Sequence, residues 1–122
     1  MNGRYYLPRP LYFETLWNIR NYQRLKERHE ELLHASPPPP DGQPHGGPGK
    51  GDVDRKAVAL AEIDTQIEII DKAKQSIPPE YMRGIWAHIQ YGTPFPHDAG
   101  INTYKRWKQR FVYMVAWLHN WI

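Results

Sequence analysis

Residues 102–122 read NTYKRWKQRFVYMVAWLHNWI, and this stretch decides the fold class. Apolar side chains recur in it every three or four residues, at Tyr104, Trp107, Phe111, Met114, Val115, Leu118 and Ile122. That spacing places them on one face of an α-helix and differs from the alternation of a strand. We therefore predict a C-terminal helix over 102–122, with Asn102 or Thr103 as its N-cap.

Three further segments show the same helical spacing. The first runs from about residue 11 to about 33, and its apolar stripe is irregular around 18–21, which is compatible with a bend. The second covers about 53–76. The third covers about 79–91, because two prolines suit a first helical turn and Gly92 with Pro94 ends a helix.

Asp52 or Asp54 can cap the second of these helices, since a carboxylate accepts the free N–H groups of a first turn. The two long helices can pair as an antiparallel hairpin. No segment shows strand alternation. The predicted fold is all-α: two long helices joined by a Pro/Gly-rich loop, followed by a C-terminal helix-turn-helix.

The loop between the long helices, residues 36–52, reads SPPPPDGQPHGGPGKGD and has six prolines and five glycines. A segment of this composition cannot build a core, so we interpret it as a flexible linker. The chain then divides into an N-terminal arm and helix (1–35), the linker (36–52) and a helical domain with the helix-turn-helix (53–122).

Positive charge is concentrated near the C-terminus. The whole chain carries a formal net charge of +3, and no acidic side chain follows Asp98. Four basic side chains lie within six positions there: Lys105, Arg106, Lys108 and Arg110. An unopposed patch of this kind suits a polyanion such as nucleic acid, although the solvated face of an ordinary helix has a similar pattern.

A helical wheel places several polar residues opposite the apolar stripe. Amide side chains can read adenine edges, and Arg or Lys can bind guanine or phosphate. These residues occupy the N-terminal half of the helix, the part that usually enters the major groove. The predicted double-stranded-DNA-binding residues are Asn102, Thr103, Lys105, Arg106, Lys108, Gln109 and Arg110.

The second half of the same helix carries an aromatic row outside the apolar stripe, formed by Tyr113, Trp117 and Trp121. A row of three aromatic residues indicates a covered surface. It can pack beneath the N-terminal arm or the first helix, or it can form the interface of a homodimer.

The sequence lacks the residue patterns of metal sites, phosphate-binding loops and catalytic sites. The chain has no cysteine, and no two of its six histidines are three or four residues apart. It has no phosphate-binding loop motif and no nucleophile placed beside a base. We therefore expect no metal, no cofactor and no enzymatic activity. With neither a secretory signal nor a membrane-length apolar run, we expect a cytoplasmic protein without membrane contact.

Two groups of residues carry a family resemblance. The first comprises Asn21-Tyr22, Arg24-Leu25-Lys26, Glu30, Leu33 and Asp41-Gly42-Gln43-Pro44. The second comprises Ile77-Pro78-Pro79-Glu80-Tyr81, Gly84-Ile85-Trp86, Tyr91-Gly92, Pro94-Phe95-Pro96, Thr103-Tyr104, Arg106-Trp107-Lys108 and Arg110-Phe111. Over roughly residues 17–118 they resemble phage-encoded transcriptional regulators of the RinA/ArpU type. The aromatic tail 117–121 and the N-terminal arm depart from that pattern.

The resemblance implies a helix-turn-helix activator of phage late or packaging genes, with a C-terminal part similar to the promoter-reading domain of sigma factors. Host RNA polymerase would then be a partner in the bacterial cytoplasm. Two alternatives stay open: a small-terminase-like DNA-packaging protein that forms a ring, and a phage protein-interaction or inhibitor module that works through its aromatic row.

Overall fold

Five helices and no strand make up the part of the chain that the computed structural model describes. That part comprises residues 3–34 and 48–122, with side chains described for 3–34 and 54–122. The helices are α1 (Arg9–Arg20), α2 (Tyr22–Leu33), α3 (Pro48–Lys74), α4 (Pro79–Tyr91) and α5 (Ile101–Leu118). The all-α prediction is confirmed. The predicted linker lies outside the described residues except for its last five, which begin α3.

The first predicted helix is two helices. Asn21 separates α1 from α2 with a backbone at φ −81° and ψ 1°, between helical and extended conformations. Its N–H donates to the carbonyls of both Asn18 (3.2 Å) and Trp17 (3.1 Å). The bond to Asn18 spans three residues, as in the tighter 3₁₀-helix, rather than the four of an α-helix. The interruption falls within 18–21, where the apolar stripe is irregular. The prediction of one continuous helix over 11–33 is therefore wrong.

Helices α2 and α3 pair in antiparallel orientation. The Tyr22 hydroxyl donates to a carboxylate oxygen of Asp71 (2.8 Å), and His29 Nε2 lies 2.8 Å from a carboxylate oxygen of Asp64. As the residue number rises along α2, the partner's number falls along α3. This is the orientation expected for two helices joined by the linker.

Helix α3 begins at Pro48, five residues before the predicted start at 53. Proline suits a first helical position because its missing N–H would have no partner there and its φ is already helical. Asp52 and Asp54 therefore lie inside the helix, and the prediction that one of them is the N-cap is wrong.

Helix α4 has the predicted bounds. Pro79 lies in its first turn, and Gly92 ends it in the left-handed conformation, with φ 71°. Nine residues, 92–100, then join α4 to α5. A helix-turn-helix usually has a turn of three or four residues, so this connector is more than twice that length.

The connector is packed tightly against both helices. The Phe95 ring stacks on Tyr104, with 5.3 Å between ring centroids. The Tyr104 hydroxyl donates to a carboxylate oxygen of Asp98 (2.5 Å). This hydrogen bond and burial of the ring raise the pKa of Tyr104 to about 12. Tyr104 is fully buried, so it anchors the connector at the start of α5.

Both ends of α5 differ from the prediction. Its N-cap residue is Gly100, which makes no side-chain hydrogen bond, so the prediction of Asn102 or Thr103 as the cap is wrong. The N–H groups of Thr103 and Tyr104 donate to the Gly100 carbonyl instead (3.0 and 3.3 Å). The first turn thus begins one residue before Asn102, at Ile101.

The helix ends at Leu118 rather than at 122, because the chain turns at Asn120 with φ 62°. The Asn120 N–H donates to the Trp117 carbonyl, and the Trp121 N–H donates to the Ala116 carbonyl, both at 3.0 Å. This pair of bonds is the Schellman motif, and asparagine is one of the few residues that adopt its left-handed position.

Helix α5 packs at the centre of the described fold, against α1, α3 and α4. Its fully buried residues are Tyr104, Phe111, Val112, Val115 and Ala116. The other helices contribute Ile19, Ile70, Ala73, Met82, Ile85 and Ile89 to the same core. No helix in residues 3–34 and 48–122 has the length and apolar character that would let it cross a membrane.

The close approach of the connector to α4 gives a stability prediction. A Cβ atom on Gly84 would lie 2.7 Å from Pro96 Cδ and 3.1 Å from Tyr104 Cε1. Overpacking of this kind costs about 1–3 kcal/mol, against about 1 kcal/mol gained from the helix propensity of alanine. We expect Gly84→Ala to lower the free energy of unfolding by up to about 2 kcal/mol, measured by urea denaturation.

Gly3→Ala is the control, because a Cβ atom there has no heavy atom within 4 Å. We expect it to change stability by less than about 0.5 kcal/mol. A Gly84→Ala protein as stable as the Gly3→Ala protein would show that the connector does not pack on α4 as described.

Candidate functional site

The basic side chains of α5 have different environments. Lys105 and Arg106 are exposed, whereas Lys108 and Arg110 are partly buried. Burial lowers the pKa of the Lys108 ammonium, because removal from water disfavours its charged form. Lys105 and Arg106 are therefore the basic residues of α5 that are most accessible to a ligand.

The N-terminal arm, residues 3–8, lies on the other predicted site residues. Gln109 Nε2 donates to the backbone carbonyl of Tyr5 (2.8 Å), which lies 104 residues earlier in the chain. The Arg110 guanidinium carbon lies 5.1 Å from the centroid of the Tyr5 ring, and the edge of Tyr113 meets the same ring at 5.3 Å between centroids. Tyr5 thus covers part of the face that the helical wheel places outward.

Gln109 is consequently not a free base-reading side chain in this structure, because its amide N–H₂ already has a hydrogen-bond acceptor. Asn102 is exposed at the start of α5, and Thr103 is half-buried in the first turn. Of the predicted DNA-binding residues, three are therefore exposed on α5: Asn102, Lys105 and Arg106.

A cleft lies between α5 on one side and the arm with the start of α1 on the other. Its volume is about 740 Å³. Four arginines line it: Arg4 and Arg9 from the N-terminal side, and Arg106 and Arg110 from α5. We call it the arginine cleft. No acidic residue lines it, and none of the ion pairs within the described residues includes any of its four arginines.

Aromatic side chains supply most of the remaining wall. They are Tyr5, Tyr6, Tyr12, Phe13 and Trp107. Arg110 lies between two of them, with its guanidinium carbon 5.1 Å from the Tyr5 centroid and 5.5 Å from the Trp107 centroid. Its Nε is buried without a hydrogen-bond partner among the described residues. Arg110 is therefore held in place by its aromatic neighbours rather than by a carboxylate.

The aromatic row predicted on α5 does not form one surface. Tyr113 packs against Tyr5 within the chain. Trp117 is 53% exposed, and Trp121 lies beyond the end of α5, where its ring stacks on His119 at 4.1 Å between centroids. Because the chain turns at Asn120, Trp121 does not continue the helical spacing from Trp117. The prediction of a regular row of three is wrong.

The sequence prediction missed the contribution of the arm and the start of α1 to this site. Arg4, Tyr6, Arg9 and Phe13 line the arginine cleft, yet they lie about a hundred residues before Arg106 and Arg110. The composition of residues 4–9, RYYLPR, was the available signal, because it mixes arginine with aromatic residues. No helical or strand periodicity relates such a segment to α5.

The described side chains form no cluster that could bind a metal ion, because no three His, Cys, Asp or Glu residues among them come together in a way that could hold one. No known protein family, curated protein or solved structure matches this chain. The arginines and aromatic residues of the cleft are suited to binding anions and aromatic groups.

The contact between the arm and α5 can be measured by a double-mutant cycle with Tyr5→Leu and Arg110→Met. A cation–π pair of this kind contributes about 0.5–1 kcal/mol. We expect a coupling energy of that size in the free energy of unfolding, because each substitution removes one partner of the pair.

A second cycle, with Tyr6→Leu in place of Tyr5→Leu, is the matched control. Tyr6 is the next residue in the chain and is 47% exposed, but Arg110 lies over the ring of Tyr5. We expect a coupling energy close to zero there. Equal coupling in the two cycles would contradict a specific contact between Tyr5 and Arg110.

Proposed function

We propose that this protein is a sequence-specific DNA-binding transcription regulator, acting on phage late or packaging genes. The observation that carries the proposal is the basic surface formed by the first half of α5, the N-terminal arm and the start of α1. Its exposed cations are Arg4, Arg9, Lys105 and Arg106, and no acidic residue lines the cleft among them. The resemblance of the sequence to RinA/ArpU-type regulators supports the same function.

Duplex DNA is the polyanion that this surface fits. Its phosphates form a dense negative charge, and binding of Lys or Arg releases the counterions around them. Within α5, Asn102 and Arg106 are four residues apart and project from the same face, so both can reach base edges in one groove. Lys105 lies beside them and is placed to contact phosphate.

The arm has two roles in the proposed complex. Arg4 and Arg9 add positive charge at the side of α5, where they can bind the DNA backbone. One N–H of the Gln109 amide already donates to the Tyr5 carbonyl, so Gln109 is free to make a bidentate contact with a base after the arm moves from α5. In the proposed arrangement α4 lies across the backbone, α5 enters the major groove, and host RNA polymerase and a second copy of the chain are further partners.

We expect Arg106→Ala to weaken binding to the specific duplex by about 1–3 kcal/mol and to reduce discrimination between sites, because a bidentate contact to a base is lost. Lys105→Ala should weaken binding to all duplexes alike and reduce the salt slope by about one. The measurement is fluorescence anisotropy with duplexes from the protein's own gene neighbourhood, titrated at several salt concentrations.

Arg24→Ala is the matched control. Arg24 is exposed on α2, outside the proposed surface, so its substitution removes one positive charge as Arg106→Ala does. It should leave the affinity nearly unchanged. Absence of duplex binding by the unmodified protein at low salt would contradict the proposal. Equal losses for Arg24→Ala and Arg106→Ala would show only a dependence on net charge and would also contradict it.

A second candidate is a protein-interaction module, and the exposure of Trp117 favours it. Trp117, Trp121 and Ile122 are 53%, 38% and 46% exposed, and this apolar end of the chain is distinct from the basic surface. In the same titration, the DNA-binding proposal expects Trp117→Ala to retain affinity. Loss of capture of a protein partner by Trp117→Ala, with Lys105 and Arg106 dispensable, would favour the second candidate.

A further inference from the structure

We propose that the arginine cleft binds a single nucleotide unit, a base joined through its sugar to a phosphate, supplied either as a free nucleotide or as one unit of a single strand. The cleft shares Arg4, Arg9 and Arg106 with the surface proposed to bind duplex DNA, but the proposal does not require that the protein bind a duplex.

The charge of the cleft indicates a phosphate. Arg4 and Arg9 line the same cleft as Arg106 and Arg110, which lie about a hundred residues later in the sequence, and no acidic residue lines it. Like charges that line one cleft repel one another, and a bound anion removes that repulsion. The planar guanidinium group donates two parallel hydrogen bonds, which match the oxygens of a phosphate.

The aromatic residues indicate that the ligand has more than a phosphate. The face of Tyr5 is covered by Arg110, and Trp107 stacks on Tyr81 at 6.0 Å between centroids. Tyr6 is 47% exposed, and no cation or ring pairs with it among the described residues; Phe13 is 44% exposed, and the Arg9 guanidinium carbon lies over one of its faces, 5.6 Å from the ring centroid. Their accessible rings suit stacking against a planar base, an interaction that tolerates any base because each has a π face.

The size of the cleft is consistent with one nucleotide. A volume of about 740 Å³ lies within the usual range for small-ligand sites. Contacts within the chain position the arm: Tyr5 contacts Gln109 and Arg110, and the Tyr6 N–H donates to the Gly3 carbonyl (3.0 Å). A preorganised site loses less conformational freedom on binding.

The two sources of the nucleotide differ in what they contact beyond the cleft. Trp17 follows Phe13 by one helical turn on α1 and is 64% exposed. The Arg20 guanidinium carbon lies 4.8 Å from the Trp17 centroid, so a cation and a ring continue the same surface. A single strand anchored in the cleft would extend along this face and stack its next base on Trp17, whereas a free nucleotide would not reach it.

The experiment is calorimetric titration of the full chain at low ionic strength with the four nucleoside monophosphates, guanosine, inorganic phosphate and a short single-stranded oligonucleotide. A nucleotide should bind at least about tenfold more tightly than guanosine or inorganic phosphate, because each of these lacks one of the two contacts. Tyr6→Ala should weaken nucleotide binding by about fivefold or more through loss of stacking.

The double variant Arg4→Ala/Arg9→Ala should weaken nucleotide binding by about tenfold or more. Arg24→Ala/Arg55→Ala removes two exposed arginines from α2 and α3 and should have no such effect. Trp17→Ala separates the sources: weaker binding of the oligonucleotide alone supports a strand, and unchanged binding of both ligands supports a free nucleotide.

Failure of both nucleotides and the oligonucleotide to bind would overturn the proposal. Binding of inorganic phosphate as tight as that of nucleotides, or equal losses in the two double variants, would also overturn it. Lys105→Ala distinguishes nucleotide binding from duplex binding. Lys105 is outside the cleft, so this substitution should weaken duplex binding and leave nucleotide binding unchanged.

Discussion

The arginine cleft depends on the contact of Tyr5 with α5. Gln109 donates to the Tyr5 carbonyl, Arg110 lies over the Tyr5 ring, and the Tyr5 and Tyr113 rings pack at 75° to each other. These contacts place Arg4 and Arg9 opposite Arg106 and thus form a cleft from two distant segments. Without Tyr5 on α5, the same arginines would be separate surface charges with no common ligand.

The position of α5 in the core makes that contact possible. Its buried face, which includes Tyr104, Phe111 and Val115, packs against three other helices and fixes the opposite face toward the arm. Tyr104 also fixes where α5 begins, through Asp98 and the ring of Phe95. The core therefore orients the basic residues, while the charges themselves contribute little to folding and remain available to an anion.

Local sequence signals predicted much of the fold. The bounds of α4 follow from Pro79 and Gly92, since these residues have strong positional preferences at helix ends. The apolar spacing predicted α5, but not its two ends. Gly100 replaces the expected side-chain cap, and the left-handed Asn120 stops the helix after Leu118, so both depend on backbone conformation that residue spacing does not encode.

The candidate site was predictable only on its α5 side. Lys105 and Arg106 are exposed as the helical wheel requires, whereas Gln109 and Arg110 face the arm. Their covering comes from a tertiary contact between residues about a hundred positions apart, and a short segment such as RYYLPR has no periodicity that identifies its partner. The prediction of one continuous helix over 11–33 was wrong for a similar reason. The irregular apolar stripe around Asn21 indicated a bend, but it did not show that the helix is interrupted there.

The central claim is that the arm and the first half of α5 bind nucleic acid as one surface. Amide nitrogen–proton NMR spectra recorded during titration with a duplex from the protein's own gene neighbourhood test it most directly. The account predicts the largest shift changes in residues 3–13 and 101–110, with small changes in 54–74. Large changes around Trp117 and Trp121 with an unaffected arm would contradict it.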